Sequence, residues 1–360
     1  MKSVLEIKNL KDKKIFLRAD FNITLLGNKA TDLYRIKESQ ETIRYLVKNG
    51  AKVFLVSHFQ DPEKFSKKFS LERILKYVKK FFPYIEFLDF KKTSELLNGR
   101  FTPVGRIFLL ENIRFFGDKE NDLEKAKNWS KNFDIYVNEA FSASHREHIS
   151  TYLLGKFLPT YFGFNFIREV KNLSIWERGK DIILVLGGSK ISTKYQLLKN
   201  FQKEKLVKKI ILGGALLNFY LKQIGFDIKK SYYDKDFKET LSSKKILYLD
   251  DVVFFKEKIV DLGKDSLKKI EEELKDFKGI LVWNGPLGVV EKKPFDEGTK
   301  RFAKFLVKKK FFKIVGGGDT ISFLNKIKLL RKFNYVSTGG GAMLYFLAHR
   351  TLPILNLVRK

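Results

Sequence analysis

The chain contains no cysteine. That absence excludes a disulfide-stapled scaffold, a thiolate metal site and a cysteine nucleophile together. Proline is scarce at 7 residues, and 24 glycines are an ordinary share of 360 residues. A collagenous, linker-like or wholly disordered chain is therefore excluded. No apolar run approaches the roughly 20 residues that span a bilayer, so no membrane association is expected. The opening Met1-Lys2-Ser3-Val4-Leu5-Glu6 has neither an apolar stretch nor a small-residue cleavage site. No signal peptide is expected, and a soluble, cytoplasmic, globular protein is. Neither GxxxxGK followed by Ser or Thr nor GxGxxG occurs, so the usual mononucleotide and dinucleotide fingerprints are missing.

Acidic residues are few beside basic ones: 41 Asp and Glu against 71 Lys and Arg leave a net charge of +30. Such a charge ordinarily points to nucleic acid or acidic lipid. Here the lysines are spread in twos and threes, as at Lys13-Lys14, Lys67-Lys68, Lys208-Lys209 and Lys308-Lys309-Lys310, without a dense tail or stripe. The same chain carries 35 Phe and many Ile and Asn, a mixture that A/T-rich codons supply. On charge alone two readings stay open, compositional drift around a phosphorylated substrate or a polyanionic partner. The spread of the lysines disfavours nucleic acid.

What is present is core material. Hydrophobic residues make up 44% of the chain, and at roughly 150 residues per domain the length suits two or three domains. Runs rich in Ile, Val, Leu and Phe recur at 14–19, 51–57, 106–111, 134–138, 181–186, 209–212, 245–249, 279–284, 313–315 and 334–337. Each is continuously apolar rather than alternating, which implies burial on both faces and hence parallel sheets covered by helices. Helical patterns fall at 36–49, 71–81, 122–132, 265–275, 298–309 and 342–349, and 164–178 reads as one helix. The alternation predicts an α/β protein of two doubly wound, Rossmann-like parallel-sheet lobes.

The halves differ at the ends of their strands. In the second half, four glycine clusters sit there: Gly187-Gly188, Gly213-Gly214, Gly316-Gly317-Gly318 and Gly339-Gly340-Gly341. One such cluster is explained by a tight turn. Four on one sheet edge suit backbone amides approaching a nucleotide or other polyphosphate, with helix dipoles behind them. In the first half the strand ends carry Arg18-Ala19-Asp20-Phe21-Asn22, Ser57-His58, Glu111-Asn112-Ile113-Arg114 and Ser144-His145-Arg146, with Arg35 opening a helix. Any one arginine is explained by a cap or a surface ion pair. Several at one topological position suit a small phosphorylated acid, which guanidinium forks bind bidentately.

Taken in order, these motifs resemble the phosphoglycerate kinases. Arg18-Ala19-Asp20-Phe21-Asn22 is similar to the family's R-x-D-F-N, and Asp32 with Arg35 to its D-x-x-R. Glu111-Asn112-Ile113-Arg114-Phe115, Asn121-Asp122, Val137-Asn138-Glu139-Ala140-Phe141 and His145-Arg146-Glu147-His148 follow the family's pattern. So do Leu186-Gly187-Gly188-Ser189-Lys190, Trp283-Asn284-Gly285-Pro286-Leu287-Gly288-Val289 with Glu291, Gly316-Gly317-Gly318-Asp319-Thr320 and Ser337-Thr338-Gly339-Gly340-Gly341-Ala342. The resemblance runs from about residue 15 to 353.

The resemblance implies an N-terminal lobe at 1–162, a hinge helix at 163–180 and a C-terminal lobe at 181–342, with 343–360 returning to the first. It implies reversible transfer of the acyl phosphate of 1,3-bisphosphoglycerate to Mg-ADP, giving 3-phosphoglycerate and ATP in glycolysis, in line and after lobe closure by a monomer. By motif, Asp20, Asn22, Arg35, His58, Arg114 and Arg146 hold the phosphoglycerate. Gly188, Lys190, Lys194, Gly214, Asn284, Pro286, Gly288, Val289, Glu291, Gly317, Gly318, Asp319 and Thr320 contact the nucleotide, with Asp319 the magnesium ligand. Arg35, Lys190, Lys194 and the amides of Gly340 and Gly341 supply positive charge to the transferring group. Lys194 shares a helix face with Lys190 if the helix begins there, and a solvated surface lysine is the plainer alternative. His58 and His145 become substrate contacts or structural groups.

The chain departs from the pattern in places. Where the family has L-G-R-P after Ser-His, Phe59-Gln60-Asp61-Pro62 puts an acid in place of the arginine. Lys64, Lys67 or Lys68 could compensate. Thr193 stands for an Asp, Thr24 for a Pro, and Ser142-Ala143-Ser144 for G-T-A. These departures leave two alternatives, a degraded and weakly active member of the family or a basic RNA- or polyanion-binding protein. A nicotinamide-dependent dehydrogenase is disfavoured by the missing GxGxxG.

Overall fold

The computed structural model describes residues 1–30, 33–189, 191–237, 239–242 and 244–358, with the backbone alone for 192, 193 and 196. Two compact units result, Met1–Lys171 with the C-terminal residues from Thr351 onward, and Asn172–Arg350. The return to the first unit thus begins at Thr351 rather than at 343. Gly341–His349 is a helix of the second unit that packs on the Ile191–Lys203 helix, whereas Pro353–Val358 packs on the 3-10 turn Leu153–Lys156 of the first.

Among the described residues, the first unit holds a six-stranded parallel sheet in the order Glu86–Leu88, Ile107–Leu110, Lys52–Val56, Lys14–Arg18, Ile135–Asn138, Thr160–Phe162. Register explains why both faces are apolar. Phe108, Phe54, Phe16 and Tyr136 are neighbours on adjacent strands, and Phe133 packs edge-on against Phe16 and Phe54 with centroids 5.1 and 5.3 Å away. The alternate residues Ile15, Leu17, Val53, Leu55, Leu109 and Val137 join Ile43, Leu46, Ile74 and Val78 in one core cluster. Those four come from the helices Gln40–Lys48 and Glu72–Val78. Each fully buried side chain of this kind stabilises by roughly 1.5–3 kcal/mol.

The second unit has a five-stranded parallel sheet in the order Val207–Leu212, Ile182–Leu186, Ile280–Asn284, Phe312–Gly316, Tyr335–Ser337. Every residue of Ile182–Leu186 and of Ile280–Asn284 is buried. The 245–249 run, expected as a strand, contributes only an isolated bridge from Ile246 to Ile210. The expected helix at 164–178 stops earlier. Phe164–Leu173 ends before Ser174, whose ψ of 53° leaves the helical region, and Ile175–Arg178 is a separate 3-10 turn. The expected 36–49 helix begins at Tyr34 and is interrupted at Ser39, whose hydroxyl donates to Arg35 O at 3.3 Å, a back-bond that loosens the helix ladder.

Parallel pairing puts all strand C-termini of a sheet along one edge, and in doubly wound folds that edge holds the ligand. Each unit has one such edge.

Candidate functional site

In the first unit the edge is built from the loops after Arg18, Val56, Leu110 and Asn138. Phe21 N donates to Ser57 Oγ at 2.9 Å and Gln60 N to Asn22 Oδ1 at 2.8 Å, stitching the first two loops together. Asp20 is buried to 6% exposure. Its carboxylate accepts from Asn22 N at 3.0 Å, from the Ser142 hydroxyl and from the Arg35 guanidinium. Arg35 is thereby aimed from its helix onto the strand ends. Burial opposes charge on Asp20, but Arg35, His58 and Ser142 together hold its carboxyl below the usual carboxylate range.

His58 is buried and faces Arg18, whose Nη2 lies 3.0 Å from His58 Nδ1. A guanidinium has no acceptor, so Nδ1 is the acceptor and Nε2 carries the proton. Burial first, then the Arg18 charge, push His58 well below its ordinary value, so the ring is neutral at pH 7. Arg18 itself is 1% exposed and anchored to Ser150 Oγ at 2.8 Å. His145 is likewise pushed down to about 4 by burial and by Arg146.

Asp20, Asn22, Arg35 and His58 thus come together at this edge. Arg114 reaches the same edge, but its guanidinium is engaged by Asp61, which also binds the Lys119 ammonium. Arg146 is exposed, with Nε 3.3 Å from His145 Nε2, and its charge acts on Arg114. Lys64, Lys67 and Lys68 are exposed; the cation that meets Asp61 beside Arg114 is Lys119. Asp32 and Lys190 lie outside the described residues, as does the side chain of Thr193.

In the second unit, four of the five strands lead into the next helix through a glycine cluster. Gly214–Gln223, Gly318–Lys326 and Gly341–His349 begin at glycines, and Ile191–Lys203 follows Gly187-Gly188 closely. Two glycines are required by contact. A Cβ on Gly187 would lie 1.9 Å from Pro286 O, and one on Gly285, whose φ is +96°, 2.1 Å from Gly187 O. The two loops are in backbone contact, sealed by Gly188 N donating to Pro286 O at 2.9 Å.

Beside them is a cavity of about 210 Å3. Of the sequence-predicted residues, Gly188, Gly214, Pro286, Gly288, Val289, Glu291 and Asp319 form its wall. Asn284, Gly317, Gly318, Thr320 and Lys194 do not line it. Thr320 is buried and its hydroxyl accepts from Gly285 N at 2.9 Å, fixing the loop from behind. Lys194 is also buried, and its ammonium donates to Gly187 O. Gly340 and Gly341 form the N-cap and first turn of their helix at the last strand's end.

Asn284 is 4% exposed, and its Nδ2 is buried without a hydrogen-bond partner. It lies 3.3 Å from where a Cβ of Gly317 would be, so an amide donor in want of an acceptor adjoins a glycine loop. Asp319 is an exposed carboxylate in the first turn of Gly318–Lys326. Among the described residues no group of three or more His, Cys, Asp or Glu is placed to hold a metal.

Sequence reasoning missed Asn218, Tyr232 and Asp261 on the cavity wall. Asp261 sits in a hairpin, Val252–Phe255 with Lys258–Leu262, that the sequence does not announce. Its buried carboxyl is raised to about 6, burial outweighing the donors Gly298 N at 2.6 Å and Leu262 N at 2.9 Å. The one sequence signal for Asn218 is its place in the helix after Gly213-Gly214.

A sequence profile of the family described as phosphoglycerate kinase matches residues 5–350. A phosphoglycerate kinase of Coprothermobacter proteolyticus is 37% identical over 96% of this chain and 95% of its own length. One from Helicobacter pylori is 36% identical over 100% and 98%. The solved phosphoglycerate kinase of Coxiella burnetii superposes with a TM-score of 0.81 at 31% identity, covering 99% of this chain and 98% of that one. That of Pyrococcus horikoshii gives 0.84 at 25% identity over 100% and 98%. A polyanion-binding or dehydrogenase reading is not favoured beside these matches. With its two-lobed α/β fold, the chain belongs to the phosphoglycerate kinase family of phosphotransferases.

Proposed function

We propose that the two strand edges divide the family's reaction between them. The first binds phosphoglycerate through Asp20, Asn22, Arg35, His58, Arg114 and Arg146. The second binds ADP or ATP in the cavity walled by Gly188, Gly214, Pro286, Gly288, Val289 and Glu291. The observation that carries this reading is Asn284 Nδ2, a buried donor lacking an acceptor at the mouth of a glycine loop. A phosphate oxygen supplies what it lacks. Lys194, with Gly317, Gly318, Thr320 and the amides of Gly340 and Gly341, completes the cradle at helix N-termini, and Lys190 is assigned to the nucleotide by its motif.

Asp319 is the residue that would hold magnesium. One carboxylate suits that ion, which keeps several waters and takes other ligands from substrate phosphates. When bound, magnesium neutralises charge on the nucleotide phosphates. The remaining work falls to positioning and charge, because in-line phosphoryl transfer asks little covalent chemistry of the protein. Asp20, itself held by the Ser142 hydroxyl, holds Arg35, and neutral His58 offers an Nε2 donor without adding charge. Lobe closure, which excludes water from the acyl phosphate, belongs to this reading. So does action as a cytoplasmic monomer, which light scattering at the mass of one chain checks.

The deciding assay is purified protein with 3-phosphoglycerate and Mg-ATP, following NADH oxidation by added glyceraldehyde-3-phosphate dehydrogenase. Turnover is expected; its absence with Mg-ADP still bound sinks the reading in favour of a degraded enzyme. Arg35→Ala is expected to lower kcat about a hundredfold, with a smaller change in KM, because its strongest contact forms in the transition state. A rise in KM alone would remove Arg35 from the transfer step.

A further inference from the structure

The loop after His58 brings a carboxylate where the family pattern has a guanidinium, and that carboxylate has specific partners. Asp61 Oδ1 accepts from Arg114 Nη1 and pairs with the Lys119 ammonium. The Arg114 side chain is 4% exposed and that of Asp61 66%, so a carboxylate on the solvent side covers a cation sunk in the strand edge. Like charge surrounds that cation: Arg146 and Arg18 act against Arg114, and Asp61 opposes them ahead of Asp118. Arg114 Nε is buried without a partner, so the guanidinium fork has binding capacity that Asp61 leaves unused.

We propose that Asp61 is a resident anion of the phosphoglycerate site, occupying the Arg114–Lys119 pair and yielding it when an anionic group of the substrate binds. The proposal rests on the reading that Arg114 holds phosphoglycerate. Asp61 acts through Arg114 and Lys119 and is a positioning residue. An ion pair with one exposed partner is weak enough to be displaced. A phosphate, with more charge and a bidentate fit to the fork, displaces it at a cost in affinity. Asp61 therefore sets how tightly phosphoglycerate binds and leaves the transfer step alone.

The test is steady-state kinetics of Asp61→Asn and Asp61→Ala beside the unmodified chain and Arg114→Ala. Both Asp61 variants are expected to lower KM for 3-phosphoglycerate about three- to tenfold, with kcat and the KM for Mg-ATP unchanged. Inorganic sulfate, competing with 3-phosphoglycerate, is expected to inhibit both variants at correspondingly lower concentration, which a purely structural role would not produce. An unchanged or raised KM in both variants overturns the proposal, as does a fall in kcat at constant KM. Arg114→Ala separates the two levels. If it raises KM for 3-phosphoglycerate while the Asp61 variants lower nothing, only the resident-anion proposal fails. If it leaves that KM unchanged, the placement of phosphoglycerate on Arg114 fails first.

Discussion

Lys194→Ala is expected to reduce kcat by about 10²–10³-fold while Mg-ADP binding changes only a few-fold. Lys194 is 6% exposed on the helix that follows Gly187-Gly188, and its ammonium donates to Gly187 O. A Cβ on Gly188 would stand 3.1 Å from it, so the charge sits against the loop backbone. Burial raises its effect on a phosphoryl group at that loop, because the surrounding dielectric is lower than that of water. Ground-state nucleotide binding draws on many backbone amides, so losing one ammonium weakens it little. Charge on the transferring group is more concentrated, and there the loss is felt. Lys194→Met, which keeps the stem and removes the charge, separates packing from electrostatics and is expected to match the alanine variant in kcat. A kcat within threefold of the unmodified chain in both variants would return Lys194 to a structural part.

Much of this arrangement is legible in the residues alone. The core strands are, because runs such as Ile182–Leu186 and Ile280–Asn284 are apolar at every position and short enough to be strands. The edge strands Glu86–Leu88 and Thr160–Phe162 are three residues each and only partly buried, so no periodicity marks them. The 245–249 run shows the opposite error: its composition suits a strand, yet only Ile246 bridges to Ile210. Pairing is a long-range property, and composition reports only the local preference.

The site divides in the same way. Glycine clusters and arginines at strand ends are visible because parallel topology carries every strand end to one edge. Contacts made by loop paths are not. Nothing in Phe59-Gln60-Asp61-Pro62 says that Asp61 meets Lys119, 58 positions on. Nothing before the fold says that Asp261, in an unannounced hairpin, lines the cavity. Thr320, beside Asp319 at the end of a glycine cluster, reads as a ligand contact, and only the fold adds that its hydroxyl accepts from Gly285 N.

Stability is expected to fall as pH rises from 7.5 to 8.5, and Glu139→Gln is expected to abolish that fall. Glu139 is 1% exposed beneath the start of the Phe164–Leu173 helix. Its Oε1 accepts from Thr42 Oγ1 at 2.9 Å and from Asn165 N at 3.2 Å, while Thr42 Oγ1 accepts from Phe164 N at 2.8 Å. Its Oε2 is buried without a partner. Burial raises the carboxyl to about 8, against the donors that favour its charged form. The folded chain therefore holds a proton that the unfolded chain releases near its ordinary value of 4.5, so rising pH favours unfolding until about pH 8. Below 7.5 the signal is mixed. Asp261, raised to about 6, adds to the slope, whereas His145, lowered to about 4, opposes it because the unfolded chain binds the proton there. Above 7.5 these groups, and His58 and His148, which are lowered likewise, have titrated in both states and Glu139 remains. About half a proton over that window amounts to about 0.7 kcal/mol. The amide of Glu139→Gln keeps the shape and cannot ionise, so its denaturation midpoint in urea should stay level from pH 7.5 to 8.5 and exceed that of the unmodified chain at pH 8.5. A level midpoint in the unmodified chain, or an equal slope in both, would show that Glu139 is ionised in the fold and that the helix start tolerates its charge.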